Sequence, residues 1–436
     1  LGNLSAAIQY GLSNSAEPQG THRLLRITDI QDGEVDWNAV PFTTVNDPEA
    51  YLLKTGDIVF ARTGATVGKS FLITETPYPS VYASYLIRIR LLGSLSPEYI
   101  YQFFDSACYW SQITDKSVGV GQPNCNGTSL KELFIPLPPI SEQLRIVPTA
   151  QALLAYVAKI DAEKKSLLSI IMATKSKILD LAIRGQLIPQ DPNDEPASVL
   201  LERIRAEKEE LIKQGKIKRD KKESVIFRGE DNSYYEKVGS DVICIDAEIP
   251  FEIPDTWEWM RLESCCIKEI RRGKSPTYID ESGTLVFAQK CNTKYRGIDV
   301  GLALFLDESI LGRYPDDEYM QDGDVVINST GTGTLGRVGI YHTTDNHRGL
   351  PIVPDSHVTV VRAAHGIQSI YVYAFMKANQ SELEKEGEGS TNQKELKPLT
   401  LKEMLIPIPP YSEQERIATT ITAAFSILSA VEKSLS

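Results

Sequence analysis

The chain has 436 residues, enough for two or three domains, and its 42% hydrophobic and 24% charged residues are those of an ordinary globular protein. A net charge of −12 argues mildly against a nucleic-acid partner, although a local basic face is compatible with an acidic total. No apolar run reaches about 18 residues, the six cysteines show no CxxC and the five histidines no HExxH, so a membrane span, a disulfide framework and a zinc site are not expected and a reducing cytoplasm is.

Residues 1–128 read as a mixed α/β globule with a β core. Arg23–Asp29, Asp57–Ala61, Ser70–Thr74 and Tyr85–Leu92 are β-rich runs divided by Gly, Pro and Asp. Pro97–Ser111 reads as one helix, with Tyr99, Ile100, Phe103 and Phe104 on its apolar face. A Pro-rich lead-in, Ile135–Pro139, then opens a long helix that runs to about Arg184. Ile146, Leu153, Val157, Ile160, Leu167, Ile171, Ile178 and Leu181 fall on steps of four and three that continue through Ala150, Lys164 and Thr174. That is the heptad seam of a coiled coil. Ser141 suits the N-cap, Gly185 the C-cap, and Pro148 predicts a slight kink or late start. About 44 helical residues would span about 66 Å. Beyond it, Gln190–Pro196 reads as a hinge, Ala197–Gln214 as a solvated linker helix and Lys216–Lys222 as a basic run.

The chain then repeats itself. Thr400–Ile417 matches Ser129–Ile146 at 12 of 18 positions, 271 residues further on. The seam restarts in phase at Ile417, Ile421, Ala424, Leu428, Val431 and Leu435. Leu1 aligns with Leu262, Leu24 with Leu285, Gly56-Asp57 with Gly323-Asp324, Thr63-Gly64 with Thr330-Gly331 and Gln122 with Gln393. The offset grows along the domain, so the second copy carries small loop insertions. The first copy begins abruptly at the equivalent of Leu262, so a few residues of a natural N-terminus are expected to precede it. The expected domains are 1–140, a spacer helix 141–185, a linker with a charged helix 186–250, a second domain 251–411 and a distal helix 412–436.

Two motifs invite a nucleotide. Gly331-Thr332-Gly333-Thr334-Leu335-Gly336 is a formal GxGxxG, and Gly64–Ser70 falls one glycine short of a Walker A loop. In both copies the next residues read as strand, so the helix N-terminus that would hold phosphate is absent. Pro409-Pro410-Tyr411 resembles the end of an adenine-methyltransferase motif, but Ile408 stands where a polar side chain is needed. No Ser/His/Asp order, metal spacing or isolated carboxylate pair stands out, so no catalytic or metal site is expected. What remains is polar and basic residues in matching loops. The first copy offers Arg62, Thr63, Thr66, Lys69, Tyr82, Ser84, Gln122, Asn124 and Asn126. The second offers Arg271, Arg272, Lys274, Lys290, Asn292, Lys294, Arg296, Ser329, Thr330, Thr332, Thr334, Arg337, Asn392, Gln393, Lys394 and Lys397. Such side chains read base edges and phosphates.

Two variable domains, each closing on Ile-Pro-x-Pro-Pro-x-Ser-Glu-Gln at Ile135–Gln143 and Ile406–Gln414 and on a long helix, resemble the specificity subunit of a type I restriction–modification enzyme. The resemblance covers essentially the whole chain. It implies an α+β fold of two mixed α/β target-recognition domains separated by long antiparallel coiled-coil spacer helices. It further implies that each domain reads one half of a bipartite double-stranded DNA site. The helices would set the gap and dock two methylation subunits, which a motor–nuclease subunit can join. The chain itself would be non-catalytic and without cofactor, with S-adenosylmethionine, ATP and Mg on its partners. A nucleotide-binding enzyme using the Gly-rich loops, and a coiled-coil scaffold without DNA contact, are the rival readings.

Overall fold

A computed structural model of the chain describes residues 1–436 apart from 32, 117–124, 218, 220–223, 295, 332, 388–393 and 436. It falls into two compact units, Leu1–Glu163 and Lys164–Ser436, whose boundary lies inside one helix, Ile140–Ile183.

The first unit is built around the strand Ile58–Ala61, which is buried on both faces. Successive side chains of a strand point to opposite sides. Ile58 and Phe60 therefore enter one cluster with Ile87, Ile100, Phe104 and Tyr109. Val59 and Ala61 enter another with Leu25, Trp37, Ile73 and Leu86. The strand belongs to an antiparallel sheet ordered Ser5–Tyr10, Leu86–Leu91, Ile58–Ala61, Ser70–Leu72. A second sheet sets His22–Leu25 antiparallel to Phe42–Thr43 and parallel to Ser80–Tyr82. The single helix expected at Pro97–Ser111 is two, Pro97–Phe103 and Ala107–Lys116. Ser106 makes the break: its hydroxyl donates to the Phe103 carbonyl at 2.6 Å and accepts from the Tyr109 N–H at 3.2 Å.

The second unit repeats this plan. Arg271–Arg272, Val358–Val361, Val325–Asn328 and Val338–Ile340 form a sheet of the same order and sense. Leu285–Phe287 lies antiparallel to Leu304–Leu306 and parallel to Ile352–Pro354. Tyr82 and Pro354 hold the same place in the parallel pairs, so Leu24 aligns with Val286, one residue beyond the Leu285 read from sequence. A one-residue slip exchanges the two faces of a strand, so the correction matters for which side chains meet the core. The turn before each central strand is also duplicated. Gly56 and Gly323 take φ of +90° and +82°, where glycine is favoured. Asp57 and Asp324 accept the Lys54 and Gln321 N–H groups, each at 2.8 Å. They also hold Arg90 and Arg362 at 2.6 and 2.7 Å.

Residues 186–250 are not a loose linker. Helix Ala197–Lys213 buries Ala197, Leu200, Leu201 and Ile204 in the core of the second unit. Strands Ser224–Arg228, Tyr234–Val238 and Asp241–Cys244 form an antiparallel sheet, and Ile226 packs with Trp259. Trp259 lies on the strand Glu258–Arg261, which pairs with Leu405–Ile408. No helix among the described residues is long and apolar enough to cross a membrane.

The 44-residue helix Ile140–Ile183 starts earlier than expected. Pro139 supplies the carbonyl that accepts from Glu142 and Gln143, so Ser141 lies inside the first turn, and Pro148 remains within the helix. Gly185, at φ +67°, ends it, with the Gln186 N–H bonded to the Leu181 carbonyl. Tyr411–Leu435 runs antiparallel to its C-terminal part. Glu432 meets Lys175 at 2.8 Å, and Arg416 meets Asp194, beyond the helix end, at 2.6 Å. Of the seam positions there, Ile171, Ile417 and Ile421 are buried and Ile178, Leu181, Ala424 and Leu428 half-buried, while Leu179 and Ile183, off the seam, enter the core of the second unit. Further toward the N-terminus the seam is open, with Leu153, Val157 and Ile160 at 61%, 56% and 62% exposure.

The Ser-Glu-Gln motif explains how domain and helix are joined. The Gln143 side-chain carbonyl accepts from the Ser96 N–H at 3.1 Å, and its amide donates to the Pro138 carbonyl at 2.8 Å. Gln414 does the same with the Gln368 N–H at 2.9 Å and Pro409 at 3.0 Å. Ser96 and Gln368 cap the helix that packs under each main sheet. Tyr99 and Tyr371 donate to Pro136 and Pro407 beside them, at 2.9 and 2.6 Å. Both glutamines are buried. Replacing Gln414 by leucine strands the Gln368 N–H and the Pro409 carbonyl. An unsatisfied buried polar group costs about 1–3 kcal/mol. Chemical denaturation of Gln414→Leu is expected to show a loss of that size, and Gln143→Leu a similar one.

Candidate nucleic-acid interface

In the first unit a cleft of about 700 Å³ opens among the loops that join the two sheets. Four chain segments meet there: the turn after Ser5–Tyr10, the end of His22–Leu25, the glycine loop between Ile58–Ala61 and Ser70–Leu72, and Ala83–Tyr85 between Ser80–Tyr82 and Leu86–Leu91. Asn14, Arg26, Thr63, Thr66, Ser84 and Tyr85 supply its polar lining. Three of these, Thr63, Thr66 and Ser84, are loop residues picked out in the sequence.

The segments that meet at this cleft recur in the second unit. Gly11 and Gly273 pass so close to a neighbouring strand that a Cβ would lie 2.3 Å from the Tyr82 and Ala83 carbonyl oxygens, or 2.2 and 2.4 Å from those of Pro354 and Asp355. Leu12 and Lys274 form matching isolated bridges to Ala83 and Asp355. The Thr66 and Thr334 hydroxyls donate to the carbonyls of Thr63 and Thr330, at 3.2 and 3.0 Å. The Lys69 and Arg337 N–H groups bond to Thr66 and Thr334. Strands, not helices, follow both glycine loops, so neither presents a helix N-terminus to a phosphate.

Several of the sequence candidates are spent on holding this frame. Tyr82 is buried, its hydroxyl donates to the Gln9 carbonyl, and burial pushes that hydroxyl up to about 12. Asn292 and Ser329 are also buried, bonded to Asn328 and Thr359. Asn126 caps the helix Gly127–Lys131 by accepting from the Thr128 and Ser129 N–H groups. Arg271 binds Glu318 at 2.8 Å and Asp317 at 3.3 Å. Arg272 binds Glu395 at 2.6 Å, and Lys274 meets Glu318 at 3.4 Å. Arg337 donates to the Asn292 and Gly333 carbonyls, tying the glycine loop to the turn at 289–292. Arg62 lies with its guanidinium 4.9 Å from the centre of the Tyr10 ring. In the first cleft Asp29 grips Arg26 through both oxygens, at 3.1 and 2.6 Å, which raises the guanidinium above its ordinary range.

The exposed basic candidates are Lys69, Lys290, Lys294, Arg296, Lys394 and Lys397, and Asn126 is exposed as well. Gln122, Asn124, Thr332, Asn392 and Gln393 lie outside the described residues. The sequence reading passed over Tyr85 and His357. Arg62 and Ser329 donate their N–H groups to the Tyr85 and His357 carbonyls, at 3.2 and 2.8 Å. Each ring is exposed between buried neighbours, Ala83 and Leu86 in one unit, Asp355 and Val358 in the other. The matching Ser-Tyr-Leu and Ser-His-Val triplets were the available signal.

Two equivalent domains, each with the same loop frame beside its central strand and each clamped to a long helix, define a recognition scaffold. A family model described as "Type I restriction modification DNA specificity domain" matches residues 21–170 and 254–435. The chain belongs to that family. It is 30% identical over 278 residues to the type I restriction enzyme EcoAI specificity subunit of Escherichia coli, covering 60% of this chain and 41% of that one. Against the EcoKI specificity subunit of Escherichia coli strain K12 it is 30% identical over 217 residues, 46% of this chain and 47% of that one. The chain thus spans less than half the length of these relatives. Two solved structures share the fold at 17% identity. One comes from a study of complex assembly and conformational transition of the type I R-M system, with a TM-score of 0.63 and 100% and 91% of the two chains covered. The other is the HsdS subunit from Thermoanaerobacter tengcongensis, with a TM-score of 0.54 and 100% and 90% covered.

The close approach at Gly11 and Gly273 yields a test. An alanine at either place must push backbone against backbone, and overpacking of this kind costs about 1–3 kcal/mol. Gly11→Ala and Gly273→Ala are each expected to lower stability by that amount in denaturant titrations. Gly93→Ala, where nothing lies within 4 Å of the added Cβ, is expected to leave it within about 0.5 kcal/mol.

Proposed function

We propose that the chain is the DNA-reading specificity subunit of a type I restriction–modification complex. Residues 1–140 read one half of a bipartite double-stranded site and residues 251–411 the other. The observation that carries this is the cleft frame of the first repeat recurring in the second, with shared threonines and glycines and different side chains displayed on it. A duplicated enzyme would repeat its chemistry; here the loop scaffold repeats while the residues on it change. Residues 186–250 belong with the second reader, since their helix is buried in its core.

The helices 141–185 and 412–436 set the unread gap and dock two methylation subunits, which a motor–nuclease subunit joins in the cytoplasm. The open seam at Leu153, Val157 and Ile160 supports the docking role. S-adenosylmethionine, ATP and Mg act on those partners, and this chain supplies no catalytic group. The acidic total is tolerable because phosphate contacts draw on local cations, such as Lys69 and Lys290, and on partner subunits.

Exchanging residues 1–128 for the same region of a relative is the test. Sequencing of methylated adenines in cells carrying the system is expected to show one half-site changed and the other kept. A change in both halves contradicts two independent readers.

A further inference from the structure

We propose that Tyr85 and His357, displayed at the same place beside Thr63 and Thr330 in the two repeats, are the side chains through which each repeat distinguishes a base at its own half-site. The inference rests on the DNA-reading function above and names the residues that would perform it.

The backbone beneath each ring is fixed. Ser84 donates its N–H to the Leu12 carbonyl at 2.7 Å, Leu86 to Ala83 at 2.9 Å and Arg62 to Tyr85 at 3.2 Å. In the second repeat His357 donates its N–H to the buried Asp355 carboxylate at 2.9 Å, and Ser329 donates to the His357 carbonyl at 2.8 Å. A side chain on so rigid a turn loses little freedom on meeting a partner. Folding gains little from either ring, since Tyr85 is 61% exposed and His357 also lies on the surface. One exposed aromatic alone would need no explanation. Two planar side chains with polar tips, at one position of a duplicated loop frame whose other parts are kept, do need one.

The chemistry of the two rings differs in the way that base discrimination requires. Tyr85 offers an apolar face, suited to a thymine methyl group, and one hydroxyl for a base edge. The Nδ1 atom of His357 is engaged by the Thr330 hydroxyl at 2.7 Å, which leaves Nε2 for a base edge. In the major groove such edges present purine N7 and O6 acceptors or amino donors. The two repeats would thus read different bases from one frame.

The test uses the full chain assembled with its methylation partners in cells and maps methylated adenines genome-wide. Tyr85→Ala is expected to relax the preference at one base of one half-site by about 5- to 150-fold, with the other half unchanged. His357→Ala is expected to do the same at the opposite half. Tyr85→His is expected to change the preferred base rather than relax it. This variant also decides the matter should the alanine variant melt low, since it keeps a ring and a polar tip. A uniform fall in methylation with the motif intact, or no change, overturns the proposal and leaves the DNA-reading function standing. A wild-type complex that methylates no two-part motif overturns both.

Discussion

The fold depends on a pair of buried glutamines. Gln143 and Gln414 each bridge the cap of a domain helix and a proline carbonyl at the start of a long helix. Proline makes this possible, because it fixes φ and holds the lead-in extended up to the helix start. The bridged groups are main-chain atoms, so the clamp is indifferent to the side chains displayed elsewhere in the domain. Recognition loops can change while the joint to the helix does not. A charge at either position would be costly to bury without a partner. A neutral amide, with one donor group and one acceptor, satisfies both main-chain atoms at once.

The same economy runs through each domain. The central strands Ile58–Ala61 and Val325–Asn328 divide their side chains between two hydrophobic clusters. In the first unit the cleft lies among the loops that join the two sheets. Around it, main-chain bonds and threonine hydroxyls set the loop shape, and the second repeat adds ion pairs among Arg271, Lys274 and Glu318. A cation already paired with a buried carboxylate is a support, not a free charge. Residue type alone therefore overstates the basic surface: Arg and Lys in these loops serve two ends, and only neighbours distant in sequence decide which.

Much of the architecture was legible from the sequence because it is local. The duplicated Pro-Pro-x-Ser-Glu-Gln motif, the heptads and Gly185 placed both helices, and the strand-like run after each glycine loop excluded a dinucleotide fold. Other features depend on contacts that sequence does not carry. The apolar spacing of Ala197, Leu200, Leu201 and Ile204 was readable as a buried face, yet the surrounding charge outweighed it. The antiparallel register of Lys175 and Glu432 is one that no single segment encodes. Tyr82 and Ser329 looked like surface polar residues because burial of a hydroxyl depends on a partner from another strand. Tyr85 and His357 went unnoticed because unlike residues at equivalent places do not register as a repeat.

The central claim is that two separate readers, fixed to a helical spacer, engage one DNA molecule. Hydroxyl-radical footprinting of the assembled complex on a methylated target addresses it directly. Two protected segments divided by a gap of unprotected sugars on the reader-facing side are the expected result, with protection that weakens steeply as salt rises. One continuous protected segment centred between the half-sites, or protection of a single half, would contradict the account.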